Sequence, residues 1–150
     1  MSGYELIIFD WDGTLMDSEA KIVNCFRKAV ADVDIGYPGD AAVRNIIGLG
    51  LKEALDQLLP DVEQSMRQQV VERYREHFLH QDETEMPLFA GVEEGLKRLQ
   101  SDNYALAIAT GKARVGLERV LQQTRLGELF ITSRCADEAV SKPDPRMVLD

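Results

Sequence analysis

The chain has 150 residues, 45 % hydrophobic and 29 % charged, with a formal net charge of −9. That is an ordinary globular balance, long enough for one domain or for a small core carrying an insert. The acidic surplus argues against nucleic acid or an anionic membrane surface as a partner. No stretch approaches the length of a membrane span, and no basic segment with a cleavage site opens the chain. The two cysteines, Cys25 and Cys135, have no paired spacing and imply reduced thiols in a cytoplasmic setting.

The first element is Leu6-Ile7-Ile8-Phe9, an apolar run without alternation. It predicts a parallel-sheet strand buried on both faces. Asp10 and Asp12 then fall at its carboxyl end, where open α/β sheets place their ligands. Gly13 permits a sharp turn, and Thr14 brings a hydroxyl near the acids. Two carboxylates so close repel each other; a divalent cation or a shared proton would relieve that. An EF-hand loop starting at Asp10 is excluded, because its sixth and twelfth positions hold Leu15 and Lys21.

Ser18 or Asp17 can cap a helix to about Val33, with Ile22, Phe26, Ala29, Val30 and Val33 at helical spacing and Cys25 as a small core residue. Gly36 to Gly39 is a loop. Asp40 can cap a short helix to about Ile47. Gly48-Leu49-Gly50 breaks it, and Leu51 to Leu59 forms another. Asp61 can cap a longer helix to about Gln81, with the stripe Val62, Met66, Val70, Tyr74 and Phe78. His77 and His80 lie three apart on it; without a third ligand they read as a solvated pair rather than a metal site. Residues 16–86 are therefore expected to be all-helical.

Val92, Leu96 and Leu99 mark the next helix, and Tyr104 to Ala109 a second buried strand. It ends in Thr110-Gly111-Lys112 ahead of a helix with Val115, Val120 and Leu121. A strand end followed by a helix N-terminus favours an anion. It is not a P-loop, since the required earlier glycine is Leu106 and no Ser or Thr follows Lys112. Leu129 to Thr132 predicts a third strand. Ala136 to Ala139 is a candidate helical turn, and a helix starts near Arg146. Between them lies a rigid loop, Ser141-Lys142-Pro143-Asp144-Pro145, in which Pro143 biases Lys142 to extended backbone.

Asp10-Trp11-Asp12-Gly13-Thr14-Leu15, Thr110 and Lys142-Pro143 together resemble motifs I, II and III of the haloacid dehalogenase superfamily, in order. The resemblance implies an α/β Rossmann-like core with a parallel sheet (residues 1–15 and 87–150) and an inserted helical cap (residues 16–86). Met16-Asp17-Ser18 and Met86-Pro87-Leu88 would be the hinges. It implies Asp10 as nucleophile and Asp12 as general acid/base, with Thr110 and Lys142 on the phosphoryl group. Mg²⁺ would be held by Asp10 and by Asp12 through its backbone carbonyl. Asp as the second acid points to phosphoryl transfer, hence to a small-molecule phosphate ester as substrate.

Backbone N–H groups at Trp11 and Gly111, with Lys112, would complete phosphate binding. The Trp11 side chain should turn to the opposite face and pack. In relatives resembling phosphoglycolate phosphatase, a loop like Ile47-Gly48-Leu49-Gly50 dips to the site, and Arg44 and Lys52 flank it as candidates for an anionic leaving group. The family's motif IV, a further strand ending in acids, has no counterpart after Lys142. The chain therefore looks truncated, and is expected to be weakly active or inactive and to have an exposed first-strand edge that invites self-association. Two alternatives stay open: a phosphomutase of the same superfamily, and an inactive fragment acting as a binding module.

Overall fold

The computed structural model describes residues 3–149. Its centre is a three-stranded parallel sheet in the order β1-β2-β3, made of β1 (Leu6–Phe9), β2 (Ala105–Ala109) and β3 (Thr132–Arg134). Leu6 pairs with Ala105 and Phe9 with Ile108, while Ala107 pairs with Thr132. Parallel neighbours need long crossovers. One is the whole helical stretch after β1; the other carries α6 (Arg114–Thr124).

Only β2 is buried on both faces. The expectation that β1 is too does not hold: Leu6 is 44 % and Ile8 38 % exposed. β1 lies at the end of the strand order, and only its Ile7 and Phe9 side meets the core of Trp11, Leu96, Leu106, Ile108 and Leu117. The third strand starts three residues later than expected. Leu129 and Phe130 donate back to Leu126 and Gly127 in a 3₁₀ turn. That turn buries Leu126 and sets the Phe130 ring edge-on to Phe9 and Trp11. The ladder then resumes where Ile131 N–H meets Leu106 O. On α6 the buried residues are Leu117 and Val120, and Val115 is exposed. Helix α5 (Val92–Ser101) buries Leu96 as expected.

Four helices follow β1: α1 (Glu19–Asp32), α2 (Asp40–Arg44), α3 (Leu51–Leu58) and α4 (Gln64–Glu76). They share a second apolar cluster that includes Phe26, Val30, Val43, Leu55 and Val70. Ser18 precedes α1 but makes no cap bond, because its hydroxyl is used elsewhere. Asp40 is the first residue of α2, after Gly39, and α2 ends at Arg44 in successive turns. Asp61 caps nothing: Val62 N–H turns back to Leu59 O, and α4 begins at Gln64. Past Glu76 the chain widens into a π-helical turn, His77–Gln81, closed by Asp82 N–H on His77 O at 2.7 Å. The two crossings between this helical unit and the sheet bond to each other. Asp17 N–H meets Pro87 O at 2.7 Å, and Phe89 N–H meets Leu15 O at 3.0 Å. The last helix, α7, is Arg146–Leu149.

Candidate active site

The turn after β1 is built around Trp11. Its indole is fully buried against Phe130, and Nε1 donates to Met16 Sδ at 3.4 Å. Its carbonyl receives the N–H groups of Thr14, Leu15 and Met16. This pins the turn and leaves Asp10 and Asp12 on the other side. Each acid has its own cation. Lys142 Nζ donates to Asp10 Oδ1 at 2.9 Å, and Lys112 Nζ to Asp12 Oδ2 at 3.3 Å. Ser18 Oγ donates to Asp12 Oδ1 at 2.7 Å. The repulsion expected from the spacing is thus offset by two lysines brought from 100 and 132 residues away. The second pair is the drier, with Lys112 8 % and Asp12 12 % exposed.

Thr110 is buried where β2 ends. Its N–H pairs with Arg134 O, and its hydroxyl accepts from Lys112 N–H at 3.1 Å. The hydroxyl hydrogen therefore remains to be donated. The first N–H of α6, at Arg114, is taken by Asp137 Oδ1 at 3.1 Å.

Three glycines let the segment before α3 lie on this constellation. A Cβ on Gly48, whose φ is +106°, would stand 3.6 Å from Asp10 Oδ2. One on Gly111 would stand 2.4 Å from Leu49 O, and one on Gly50 2.2 Å from Ser141 Oγ. Behind this contact is a cavity of about 350 Å³ that reaches Asp12, Gly48, Gly111, Lys112 and Lys52. Arg44 does not line it; its guanidinium pairs with Glu19 at 2.6 Å on the surface. Lys112, grouped from the sequence with phosphate binding, has its ammonium on Asp12.

The sequence reading missed Ser18, which passes for a helix cap. It also missed Ser141, whose buried Oγ has no partner among the described residues, and the aromatic wall of Tyr74 and Phe78. Only tertiary contact brings the two serines into the site, so no spacing signals them; Tyr74 and Phe78 do share a helical stripe, but their spacing does not tell that they line a cavity. Thr14 is exposed, and the hydroxyl on the acid is that of Ser18. His77 is not solvated. It is buried, with Nε2 2.6 Å from Asp32 Oδ2, and Arg73 adds a second bond to the same oxygen. The bonds from His77 and Arg73 hold the Asp32 carboxyl below its usual range.

The model of the haloacid dehalogenase-like hydrolases matches residues 7–150. Over 148 residues the chain is 36 % identical to a probable phosphatase, IndB, of Dickeya dadantii, covering 96 % of this chain and 64 % of that protein. It is 30 % identical to a phosphoglycolate phosphatase of Vibrio vulnificus, covering 94 % of this chain and 65 % of that one. The chain thus spans just under two thirds of these curated relatives. Among solved structures, a putative haloacid dehalogenase-like hydrolase from Bacteroides fragilis superposes with a TM-score of 0.86 at 24 % identity, over 97 % of this chain and 70 % of that one. The family match along nearly the whole chain agrees with the parallel sheet and with the two acids at its edge, and the chain belongs to the haloacid dehalogenase-like hydrolases.

Proposed function

We propose that this site hydrolyses a small-molecule phosphomonoester through a covalent aspartyl-phosphate, with the helical unit of residues 16–86 as its lid. The observation that carries the reading is the pair of acids on one turn, each with a separate lysine, beside the buried Thr110 hydroxyl. One acid can then act as nucleophile while the other moves protons. The phosphatase relatives support the same chemistry.

Asp10 lies beside Lys142, which neutralises it and draws the phosphoryl group toward it. A carboxylate oxygen of Asp10 attacks phosphorus in line, and the ester P–O bond breaks. Asp12 delivers its proton to the departing alcohol oxygen. In the second half Asp12 takes a proton from water, which attacks the acyl phosphate, releases phosphate and restores Asp10. Ser18 and Lys112 fix the orientation of Asp12 throughout. Thr110 and the Gly111 N–H would hold equatorial oxygens.

The donor set suits Mg²⁺ in kind. It offers hard oxygens: Asp10 Oδ2, left over by Lys142, and the Asp12 carbonyl. Among the described residues no group of three or more Asp, Glu, His or Cys is arranged for a metal. Mg²⁺ commonly makes do with one or two carboxylates plus substrate phosphate and water. When bound it would supply positive charge against the phosphate oxygens. A reducing, cytoplasmic setting fits the two free, buried cysteines, and burial pushes the Cys25 thiol up to about 12. No helix among the described residues is long and apolar enough to cross a membrane.

The test is Mg²⁺-dependent hydrolysis of an aryl phosphate. Asp10→Asn should abolish turnover, and Asp12→Asn should lower it by roughly 10²–10⁴-fold. Turnover that survives Asp10→Asn would overturn the nucleophile assignment.

A further inference from the structure

The cavity behind the glycine contact reaches Asp12 but neither Asp10, Lys142 nor Thr110. In the reading above, Asp12 protonates the departing alcohol, so the cavity lies on the leaving-group side. Its size and lining describe that alcohol.

A cavity of about 350 Å³ falls in the range of drug-sized ligands. A two-carbon carboxylate displaces only about three waters, on the order of 100 Å³, and would leave most of it unfilled. The walls are apolar: Ile22, Ile46, Leu49, Tyr74, Phe78 and Val115. Tyr74 and Phe78 stack on each other, with ring centroids 5.6 Å apart and planes 25° apart, and add aromatic surface to the lining. The Lys112 and Lys21 ammoniums each sit 4.9 Å from the Phe78 centroid, so Phe78 is held by two cations and marks the end of the apolar lining next to the proton donor.

The charged side chains on the lining are mixed: Glu53 and Asp137, with Asp12, stand among Lys52, Arg75 and Lys112, so the lining is not a cluster of cations built for an anionic leaving group. Arg44, the other cation expected there, is turned away to Glu19. Burial keeps the Tyr74 hydroxyl well above its usual range and hence neutral. The buried Ser141 Oγ on the lining has no partner among the described residues. A mostly apolar pocket with a few placed polar groups is the form that orients an apolar body by one oxygen.

Resting on the phosphatase reading, we propose that the preferred substrate is a phosphomonoester of an alcohol with an apolar, ring-sized body, seated among Ile46, Leu49, Tyr74 and Val115, and not of a short hydroxy-carboxylate.

Phosphonates test this without turnover, because their C–P bond is not hydrolysed. Binding of 2-phenylethylphosphonate, 3-phosphonopropionate and inorganic phosphate is measured by titration calorimetry in Mg²⁺ buffer. The phenyl compound should bind at least about tenfold tighter than the carboxylate, about 1.4 kcal/mol. Val115 is 63 % exposed and lines the cavity, so Val115→Lys can be made without a core change and adds a cation that favours the carboxylate ligand. It should bring the ratio of the two affinities toward one.

Equal or tighter binding of 3-phosphonopropionate would overturn the proposal, as would an unchanged ratio in Val115→Lys. So would phosphate binding with neither phosphonate bound. If inorganic phosphate also fails to bind, the phosphatase reading falls, and the proposal with it.

Discussion

Asp12 is gripped from two sides, by Ser18 Oγ on one oxygen and Lys112 Nζ on the other. A proton carrier must keep its oxygen within hydrogen-bond reach of the reacting atom, and a misplacement of about 1 Å can cost as much as 10²-fold in rate. Lys112→Met should therefore lower kcat by roughly 10–10²-fold while KM changes little, as steady-state kinetics would read. An equal rise in KM would instead make Lys112 a general binding residue. Asp10, Asp12, Thr110 and Lys142 were legible because a strand, a turn and a Pro-fixed loop announce where such side chains sit. Ser18 and Ser141 were not, because a hydroxyl reads alike as cap, surface or ligand until its partner is known. Arg44 shows the converse: nearness in sequence to the Gly48 loop did not bring its side chain to the cavity, since Glu19 holds it.

At the scale of elements, the loop over the site depends on Gly111 lacking a side chain. A Cβ there would stand 2.4 Å from a main-chain oxygen, that of Leu49, which cannot swing aside as a flexible side chain would. Gly111→Ala should leave the fold intact, by circular dichroism, yet lower kcat/KM at least about tenfold by pushing the loop off Asp10.

A second joint ties the end of the π-helical turn to α1. Asp82 accepts from Lys28 Nζ at 2.8 Å and from Thr84 N–H at 2.8 Å, and its carbonyl accepts from Lys21 Nζ. Burial raises the Asp82 carboxyl, but the bonds from Lys28 and Thr84 outweigh it and hold it at about 2. An unfolded Asp titrates near 4. A lowered folded value stabilises the protein fully above that unfolded value, and the gain is lost as pH falls from about 4 through 2. Asp82→Asn should cost about 2 kcal/mol at pH 7, on the order of 5 °C in Tm, with the gap to the parent closing toward pH 2. A gap that persists at pH 2 would assign the loss to packing rather than charge. The helix periodicity foretold α1 and α4 but not this joint, because its lysines come from more than 50 residues away in sequence.

For the whole molecule, the alternation between one strand, a helical run and two further strands was legible, since 3.6-residue and continuous apolar patterns differ plainly. The exposure of β1 was not. Continuous apolarity predicts two covered faces, yet coverage depends on what packs there. Here Leu6 and Ile8 stand outward from a strand that ends the sheet. Such a strand combines unpaired backbone groups with apolar side chains, and both are relieved by pairing with a second edge. Like-charged copies repel at a net charge of −9, and that repulsion is screened by salt. The chain should therefore self-associate as concentration and ionic strength rise, as sedimentation velocity would register. Ile8→Lys puts a charge on the exposed side without entering the core and should keep the protein monomeric under the same conditions. If the parent chain is itself monomeric at high salt and about 100 μM, the β1 edge is not an association surface. If Ile8→Lys associates as readily as the parent, the contact lies elsewhere, with exposed Ile131 and Val148 the next apolar residues to replace.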